Sequence, residues 1–259
     1  MSSMKDLDLA MALADAADEI SLARFRALDL NIETKPDRTP VTDADRAVEA
    51  KLRELIALYR PDDAVIGEEY ANTETSNRVW IIDPIDGTAN YLRGVPVWAS
   101  LIALRVDGVI LLSVVSAPAL GRRWWAERGA GAFTKDVDGS VRVCQVSKVS
   151  ALSDSSISFN SIQQWDRAGL MDELIELTRN VWRDRAYGDF LSYMYLAEGL
   201  LEMVSEHDLK IYDIAALVPI VEEAGGEFSA LGSGLTEETS SVLATNGLMH
   251  ATFQDWFRA

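Results

Sequence analysis

Cysteine and histidine are scarce in this chain. Cys144 is the only cysteine among 259 residues, so no disulfide can form within one molecule. Two histidines, His207 and His250, are too few for a zinc site built mainly from imidazole. No uninterrupted apolar run reaches about 18 residues, the length that predicts a membrane span, and the N-terminus lacks a signal-peptide pattern. We therefore expect a cytoplasmic protein without a membrane partner.

Basic residues are also few. Lysine and arginine total 24 against 41 acidic residues, which gives a net charge of −17. A nucleic-acid-binding surface needs clustered positive charge, so this balance argues against a nucleic-acid partner. An acidic protein that binds an anion needs local cations, and divalent metal ions can supply them. The hydrophobic content of 48% is ample for a core in one large domain or two subdomains.

Residues 80–90, Trp-Ile-Ile-Asp-Pro-Ile-Asp-Gly-Thr-Ala-Asn, are the most informative stretch. Residues 79–82 predict a buried strand, with Asp83 just past its end. Gly87 lets the chain turn and lets a ligand approach the backbone. A helix beginning there would favour an anion such as phosphate. The stretch thus combines oxygen ligands for a metal with a phosphate cradle; alone, it is equally compatible with an acidic turn.

Carboxylates also stand at the ends of two upstream elements. Residues 64–66 predict a short strand that ends in Gly67-Glu68-Glu69, so neighbouring strands would deliver acids to one site. Thr42 and Asp45 have the spacing of a capping box, which predicts a helix start. First-turn capping is the alternative role for Asp45.

The remaining pattern predicts mixed α and β structure in two parts. We expect an Ala-rich helix over about residues 4–29, a loop over 35–40, and a hairpin of strands 97–106 and 109–117 turning at Asp107-Gly108. The second half alternates strands and helices, with helices over 164–179, 190–197 and 213–224. A boundary near residues 135–150 predicts an N-terminal subdomain, 1–140, and a C-terminal subdomain, 141–259.

Three features of the second half carry charge at element ends. Arg185 and Asp189 flank a predicted strand-to-helix turn, Glu206 follows a predicted strand, and Asp213 opens a predicted helix. Each also has an ordinary explanation: a surface arginine, a strand-end glutamate or a helix-start aspartate. Whether the fold brings these residues close to Glu68, Asp83 and Asp86 decides between a functional role and the ordinary explanation.

Taken together, the motifs resemble the inositol-monophosphatase superfamily of metal-dependent, often lithium-sensitive phosphatases. The markers are Gly67-Glu68-Glu69, residues 80–90, Tyr212-Asp213-Ile214-Ala215-Ala216 and Glu223-Ala224-Gly225-Gly226. The resemblance covers nearly the whole chain, although Tyr212 stands where the family usually has tryptophan. It implies an α+β fold, a layered α/β/α/β/α sandwich, and often a homodimer.

The resemblance also implies a metal and water site. By position, the metal ligands are Glu68, Asp83, Asp86, Asp213 and the backbone carbonyl of Ile85. Asp45 and Thr88 match the pair that orients the attacking water, and Glu69 would belong to the same acidic cluster. The backbone at Gly87, Thr88 and Ala89 would hold the phosphate. All-oxygen ligation suits Mg²⁺, with Mn²⁺ as a substitute, and two or three ions per site are expected.

Substrate selection is expected around Arg185, Gly188 and Asp189. Family members commonly place Ser or Thr and then a small residue after Arg-x-x-Gly, whereas this chain has Asp189 and Phe190. Glu206 matches a position that contacts the substrate alcohol. Two acids suit a phosphate ester with a positive amine, although Asp189 could instead cap the following helix. Gly188-Asp189 and residues 93–98 resemble the histidinol-phosphate phosphatase branch, in its actinobacterial form.

The leading hypothesis is therefore Mg²⁺-dependent hydrolysis of L-histidinol phosphate to L-histidinol and phosphate, a step of histidine synthesis. An alternative within the family is an inositol-1-monophosphatase or another small sugar or nucleotide phosphatase. An alternative of another class is a non-catalytic regulatory protein that keeps the fold; the intact set of acids argues against it.

Overall fold

A computed structural model describes residues 4–34, 40–73, 76–231 and 235–257. The helices are α1 Asp6–Arg24, α2 Asp43–Tyr59, α3 Thr88–Arg93, α4 Ile162–Ala168, α5 Met171–Asn180, α6 Asp189–Ala197, α7 Ile211–Ile214, α8 Leu217–Glu223 and α9 His250–Trp256. The strands are β1 Ile32–Thr34, β2 Pro40–Thr42, β3 Ala64–Gly67, β4 Arg78–Asp86, β5 Ala99–Val106, β6 Val109–Ala117, β7 Arg122–Glu127, β8 Gly131–Lys135, β9 Val141–Val143, β10 Ser156–Phe159, β11 Arg183–Asp184, β12 Met203–His207, β13 Glu227–Ala230 and β14 Ser241–Thr245.

The larger sheet has seven strands in the order β3-β4-β5-β6-β7-β8-β9. Its strands alternate buried side chains between two faces, because successive residues of a strand point to opposite sides. On one face, Trp80 and Ile82 pack against α1 and α2 through side chains such as Leu13 and Leu52. On the other face, Ile81 joins a second core, so β4 is buried on both sides.

That second core forms the middle of the molecule. Helices α6 and α8 contribute Met194 and Ile220 to it, together with Ile81 from the seven-stranded sheet and Val204 from a second sheet. The second sheet has the order β11-β10-β12-β14-β13. The two helices therefore lie between the sheets, as expected for apolar faces that must both be covered.

The outer face of the five-stranded sheet is covered by α4, α5 and α9. Ile157 and Leu243 of the sheet cluster there with Trp165, Leu174 and Phe253 of the three helices. From one side to the other the layers are therefore helix, sheet, helix, sheet and helix. This confirms the predicted α+β class and the layered sandwich. The division into subdomains 1–140 and 141–259 stays a prediction.

Several element boundaries differ from the sequence-based ones. The helix predicted over 164–179 is divided between α4 and α5, because Gly169 takes a left-handed backbone with φ 73°. The helix predicted over 213–224 is likewise two short helices, α7 and α8. The loop predicted over 35–40 lies outside the described residues except for Pro40, which begins β2. Within the described ranges, no helix is long and apolar enough to cross a membrane.

Candidate active site

A β-bulge in β4 brings Asp83 and Asp86 to the same side of the strand. Asp83 pairs with Leu101 of β5 and Asp86 with Ala99, so three steps along β4 correspond to two along β5. Without the extra residue, side chains three positions apart would point to opposite faces. Both acids therefore lie within β4, whereas the sequence placed Asp83 just past a strand end. The Oδ1 atom of Asp83 accepts the Ile85 N–H at 3.0 Å.

Asp213 joins these two acids from α7. Carboxylate oxygens of Asp83, Asp86 and Asp213 lie within 4.8 Å of one another. Asp213 is fixed at the start of α7 because its Oδ2 accepts the Lys210 N–H at 2.7 Å. Three hard oxygen donors that close together form an arrangement able to hold a divalent cation such as Mg²⁺.

The electrostatics of the cluster also favour a cation. Burial raises the pKa of Asp83 well above its usual value, and repulsion from Glu68 and Asp86 adds to the effect. Burial likewise raises the pKa of Asp86, with repulsion from Asp189 next. Burial raises the pKa of Asp213 to about 6. These carboxylates destabilise one another when ionised, and a bound cation would relieve that repulsion.

Glu68 reaches the cleft from the turn after β3, and this turn is held by Glu49 of α2. Glu49 is fully buried. Its Oε2 accepts the Glu69 N–H at 2.7 Å, and its Oε1 accepts the Tyr70 N–H at 3.2 Å. Arg53 donates to the same carboxylate at 2.8 Å. The buried carboxylate thus fixes the backbone that carries Glu68.

Asp45 combines a capping role with an orientation towards the cleft. Its Oδ2 accepts the Thr42 N–H at 2.8 Å, which completes the capping box of α2. Its Oδ1 accepts from the Thr88 hydroxyl at 3.2 Å. Burial raises the Asp45 pKa, and the hydrogen bonds from Thr42 and Thr88 oppose that effect. Capping of α2 and a contact with Thr88 at the cleft are therefore compatible in the Asp45 side chain.

Glu68, Asp83, Asp86 and Asp213 line one cleft of about 370 Å³. Gly87, Thr88 and Ala89 form its wall where β4 turns into α3. Gly87 needs its left-handed φ of 86°, and a Cβ there would lie 3.0 Å from the Val97 carbonyl oxygen. The full lining is Pro40, Glu68, Asp83, Ile85, Asp86, Gly87, Thr88, Ala89, Asn160, Gln164, Asp189, Phe190, Tyr193, Glu206, Asp208, Leu209, Asp213 and Leu217.

Asp189 approaches the same cleft from the first residue of α6. Asn90 donates through Nδ2 to Asp189 Oδ2 at 2.8 Å. The next residue, Phe190, donates its N–H to Asp86 Oδ2 at 2.7 Å. Gly188, not Asp189, is the N-cap of α6, so the helix-capping alternative for Asp189 is wrong. Burial raises the pKa of Asp189 to about 6, although the hydrogen bond from Asn90 opposes this shift.

Glu206 lies within β12 rather than after a strand, and only 3% of it is exposed. Tyr193 of α6 donates its hydroxyl to Glu206 Oε2 at 3.2 Å. Among the described residues, Oε1 has no hydrogen-bond partner. Burial raises the pKa of Glu206 to about 8, and repulsion from Asp189 contributes. The cleft therefore carries a second acidic region, built by Asp189 and Glu206.

The order of the acids along the chain and their common cleft match one known family. A model described as the inositol monophosphatase family matches residues 4–257. The chain belongs to the inositol monophosphatase family. It is 54% identical to the histidinol-phosphatase of Mycobacterium tuberculosis over 250 residues, which covers 96% of each chain. It is 49% identical to the histidinol-phosphatase of Streptomyces coelicolor, over 95% of this chain and 94% of that one.

Solved structures of inositol monophosphatase family proteins have the same fold. Extragenic suppressor protein suhB from Bartonella henselae superimposes with a TM-score of 0.88 at 28% identity, over 97% of this chain and 98% of that one. An IMPase/NADP phosphatase complexed with Mg²⁺ and phosphate superimposes with a TM-score of 0.83 at 25% identity, over 97% and 94% of the chains. A relative of this fold therefore binds Mg²⁺ and phosphate.

Four residues predicted for this inositol monophosphatase family site do not line the cleft: Asp45, Glu69, Arg185 and Gly188. Asp45 is buried behind Thr88, which does line it. Arg185 is exposed, and its Nη1 donates to the Asp184 carbonyl oxygen at 2.6 Å. Gly188 and Glu69 are partly buried, outside the lining residues. Gly188 instead supplies the backbone with φ 90° that begins α6. The roles assigned to these four residues stay predictions.

Several residues that line the cleft or support its lining were not predicted from the sequence. Besides Asn90, Tyr193 and Glu49, they are Asn160, Gln164, Asp208 and Leu209. Asn90 closes residues 80–90, and its place in that stretch was the one available indication. The others stand in ordinary helix, strand-end or turn sequence, and only the fold places them at the site.

Proposed function

We propose that this member of the inositol monophosphatase family is a metal-dependent phosphomonoesterase that hydrolyses L-histidinol phosphate. The observation that carries the proposal is the pairing of two acidic regions in one cleft. The first, with Asp83, Asp86 and Asp213, suits divalent cations beside a phosphate. The second, with Asp189 and Glu206, suits a positively charged amine on the alcohol part of the ester. Two histidinol-phosphatases about half identical to the chain support the same substrate.

The donor set suits Mg²⁺, because hard carboxylate oxygens are the ligands it prefers. Glu68, Asp83, Asp86, Asp213 and the Ile85 carbonyl would hold the metal, with Mn²⁺ as a substitute and two or three ions per site. When bound, such ions activate water and stabilise the charge that develops on the oxygens during phosphoryl transfer. A net charge of −17 makes local cations especially important for an anionic substrate.

The chain's own residues supply orientation. The backbone N–H groups of Gly87, Thr88 and Ala89 bind the phosphate oxygens at the turn into α3. Thr88, held by Asp45, orients the attacking water and passes its proton towards the Asp45 carboxylate. Glu206 receives the alcohol side of the ester, and Asp189 pairs with the ammonium group. Arg185, Gly188 and Glu69 would support these residues from outside the cleft lining.

The charge of Asp189 separates this proposal from inositol phosphate hydrolysis. Asp189 lines the cleft where family members commonly have Ser or Thr, whereas the ring of Phe190 packs against Trp124 in the core. A polyol would therefore meet a buried acid there. We also propose that the protein is a cytoplasmic homodimer with two subdomains and without nucleic-acid or membrane partners. The dimer is inferred from the family resemblance.

Phosphate release from a panel of esters tests the function. The panel contains L-histidinol phosphate, inositol 1-phosphate, a sugar phosphate and a nucleotide, each with Mg²⁺ and with EDTA. We expect the highest kcat/KM for histidinol phosphate and no release in EDTA. Equal turnover of inositol 1-phosphate would contradict the substrate, and activity in EDTA would contradict the metal requirement. No phosphate release from any of these esters would favour a non-catalytic regulatory role.

Asp189→Asn sharpens the substrate test. The amide keeps the size of the side chain but removes the negative charge that pairs with the amine. We expect kcat/KM for histidinol phosphate to fall by at least about tenfold, as for one charge-assisted hydrogen bond. Asp172→Asn is the matched control, because Asp172 is exposed on α5 and lies outside the cleft. Unchanged turnover in Asp189→Asn would remove the argument from amine recognition.

A further inference from the structure

Asn90 is connected to Asp189 across 99 residues of sequence. Its side-chain nitrogen has two hydrogens, and both have acceptors: Asp189 Oδ2 at 2.8 Å and the Val97 carbonyl oxygen at 2.9 Å. The Val97 bond fixes the amide, since Val97 is partly buried and lies two residues before β5. The amide is therefore a fixed donor aimed at one oxygen of Asp189.

Asp189 has little local support of its own. Its backbone has φ 50°, an uncommon value for a residue other than glycine, and it follows Gly188 at φ 90°. Residues 80–90 hold the start of α6 at two points. Asn90 binds the Asp189 side chain, and Asp86 accepts the Phe190 N–H at 2.7 Å. The side chain thus meets the cleft in an orientation set by residues of another part of the fold.

We propose that Asn90 is a positioning residue for substrate selection, holding Asp189 Oδ2 so that the other carboxylate oxygen faces the ammonium group of the substrate. This inference rests on the proposed function, because it concerns recognition of an amine-bearing phosphate ester. Asn90 itself does not line the cleft. It acts on the substrate only through Asp189, so its effect depends on the amine and on an intact Asp189.

A purely structural role is the alternative. Asn90 is in α3, and its Val97 contact also supports the turn that carries Gly87 and Thr88. Loss of that support would impair phosphate binding for every ester alike. The two roles therefore differ in one measurable quantity: the ratio of kcat/KM for histidinol phosphate to that for its desamino analogue, which keeps the imidazole and the phosphate.

The experiment is a double-mutant cycle on the full chain with Mg²⁺, using Asn90→Ala, Asp189→Ala and the double variant. We expect Asn90→Ala to lower the ratio about tenfold. The fall should come from a lower kcat/KM for histidinol phosphate, mainly through a higher KM, while kcat/KM for the desamino ester changes little. In the Asp189→Ala background, the same change should leave the ratio within about twofold, because residues that act as one unit are non-additive. Asn90→Ser, a milder change, should lower the ratio less.

Asn77→Ala is the matched control. Asn77 also donates its side-chain amide to an aspartate, Asp107 at 3.1 Å, but this pair is exposed and lies away from the cleft. It should leave the ratio unchanged. Equal loss on both esters in Asn90→Ala, or additive effects in the cycle, would overturn the positioning role alone. Equal kcat/KM of the wild-type enzyme for both esters would overturn amine recognition, and with it the positioning role of Asn90.

Discussion

The carboxylate of Glu49 accepts the backbone N–H of Glu69 at 2.7 Å, twenty residues further along the chain. Glu49 lies in the middle of α2, fully buried, and its other oxygen abuts Gly67 so closely that a Cβ at Gly67 would lie 2.1 Å from it. Residues 67–70 therefore fit around a charged side chain from another element. This relationship places Glu68 in the cleft.

The pairing predicts that Glu49→Gln weakens metal binding. The amide offers one acceptor where the carboxylate offers two, and its NH₂ group would oppose a backbone N–H. Groups that orient metal ligands typically change affinity by about 10- to 100-fold, so we expect a loss of that size in a Mg²⁺ titration of activity. Gly67→Ala should act in the same direction by displacing the carboxylate.

Glu54→Gln serves as the control for this prediction. It lies on the same helix, but it is exposed and pairs with Lys51 at the surface, at 3.0 Å. Surface pairs of this kind contribute about 0–1 kcal/mol. Mg²⁺ dependence that is the same in Glu49→Gln, Glu54→Gln and the wild type would show that the Glu49 contact does not position Glu68.

A second prediction concerns Asp83→Asn, which should separate metal binding from folding. The amide oxygen can still accept the Ile85 N–H, which lies 3.0 Å from Asp83 Oδ1 in the wild type. The amide NH₂ can donate to Asp213, the carboxylate that shares a hydrogen bond with Asp83. Since one charge leaves a mutually repelling cluster, the melting temperature in EDTA should stay the same or rise. Activity should fall at least about a hundredfold, or about 3 kcal/mol.

The diagnostic measurement for Asp83→Asn is the shift in melting temperature on adding Mg²⁺. Ligand at about 100 times its Kd stabilises the wild type by about 2.7 kcal/mol, and this increment should disappear in the variant. Asp172→Asn, exposed on α5, should keep both the increment and the activity. A variant that retains activity at saturating Mg²⁺ would contradict the metal role of Asp83.

A third prediction is that the metal-free protein loses stability as the pH rises. Folding raises the pKa of Asp189 and Asp213 from 3.8 to about 6 and that of Glu206 from 4.5 to about 8. Such groups bind more protons in the folded state, so their contribution is complete below the unfolded pKa values. It is lost between pH 3.8 and about pH 6 for the two aspartates, and between pH 4.5 and about pH 8 for Glu206.

Melting temperatures in EDTA between pH 5 and pH 8.5 measure this loss. One pKa unit corresponds to about 1.4 kcal/mol, and about 1 kcal/mol moves the melting temperature of a chain of this size by about 2–4 °C. We expect a fall of at least about 5 °C. Mg²⁺ should flatten the profile, because it binds the ionised carboxylates. A melting temperature that rises with pH in EDTA would contradict the burial of these acids.

The layered fold was predictable because its strands and helices have clear periodicity and the motifs resemble a known family. The local errors have local causes. The break at Gly169 depends on a left-handed residue between two helices. The position of Asp83 within β4 depends on the bulge opposite Leu101, and bulges leave no distinct mark in hydrophobic alternation.

The acids of the site were predictable to a greater extent than their supporting residues. Asp83, Asp86 and Asp213 stand in recognisable motifs, and the structure brings them together. Asn90 and Glu49 contact residues 99 and 20 positions away. Neither contact follows from spacing along one helix or strand. Such pairings depend on how separate elements pack, which one sequence does not reveal.

The last prediction concerns the hydrogen bond from Tyr193 to Glu206, at 3.2 Å. Tyr193→Phe keeps the ring, which stacks on Phe228 with centroids 5.6 Å apart, and removes only the hydroxyl. A hydrogen bond to the ionised carboxylate lowers its pKa, so its loss should raise the pKa of Glu206 above the present value of about 8. Histidinol phosphate turnover that depends on ionised Glu206 should then require a higher pH.

The measurement for Tyr193→Phe is kcat/KM for histidinol phosphate between pH 6 and pH 9. We expect about a tenfold loss at pH 7, as for one hydrogen bond to a charged group, and a smaller loss near pH 9. Tyr195→Phe is the control on the same helix, because Tyr195 packs edge-on against Tyr187 at 5.2 Å and does not line the cleft. A uniform loss at every pH would indicate that the hydroxyl supports packing alone, whereas a loss confined to lower pH shows that it keeps Glu206 ionised for the substrate.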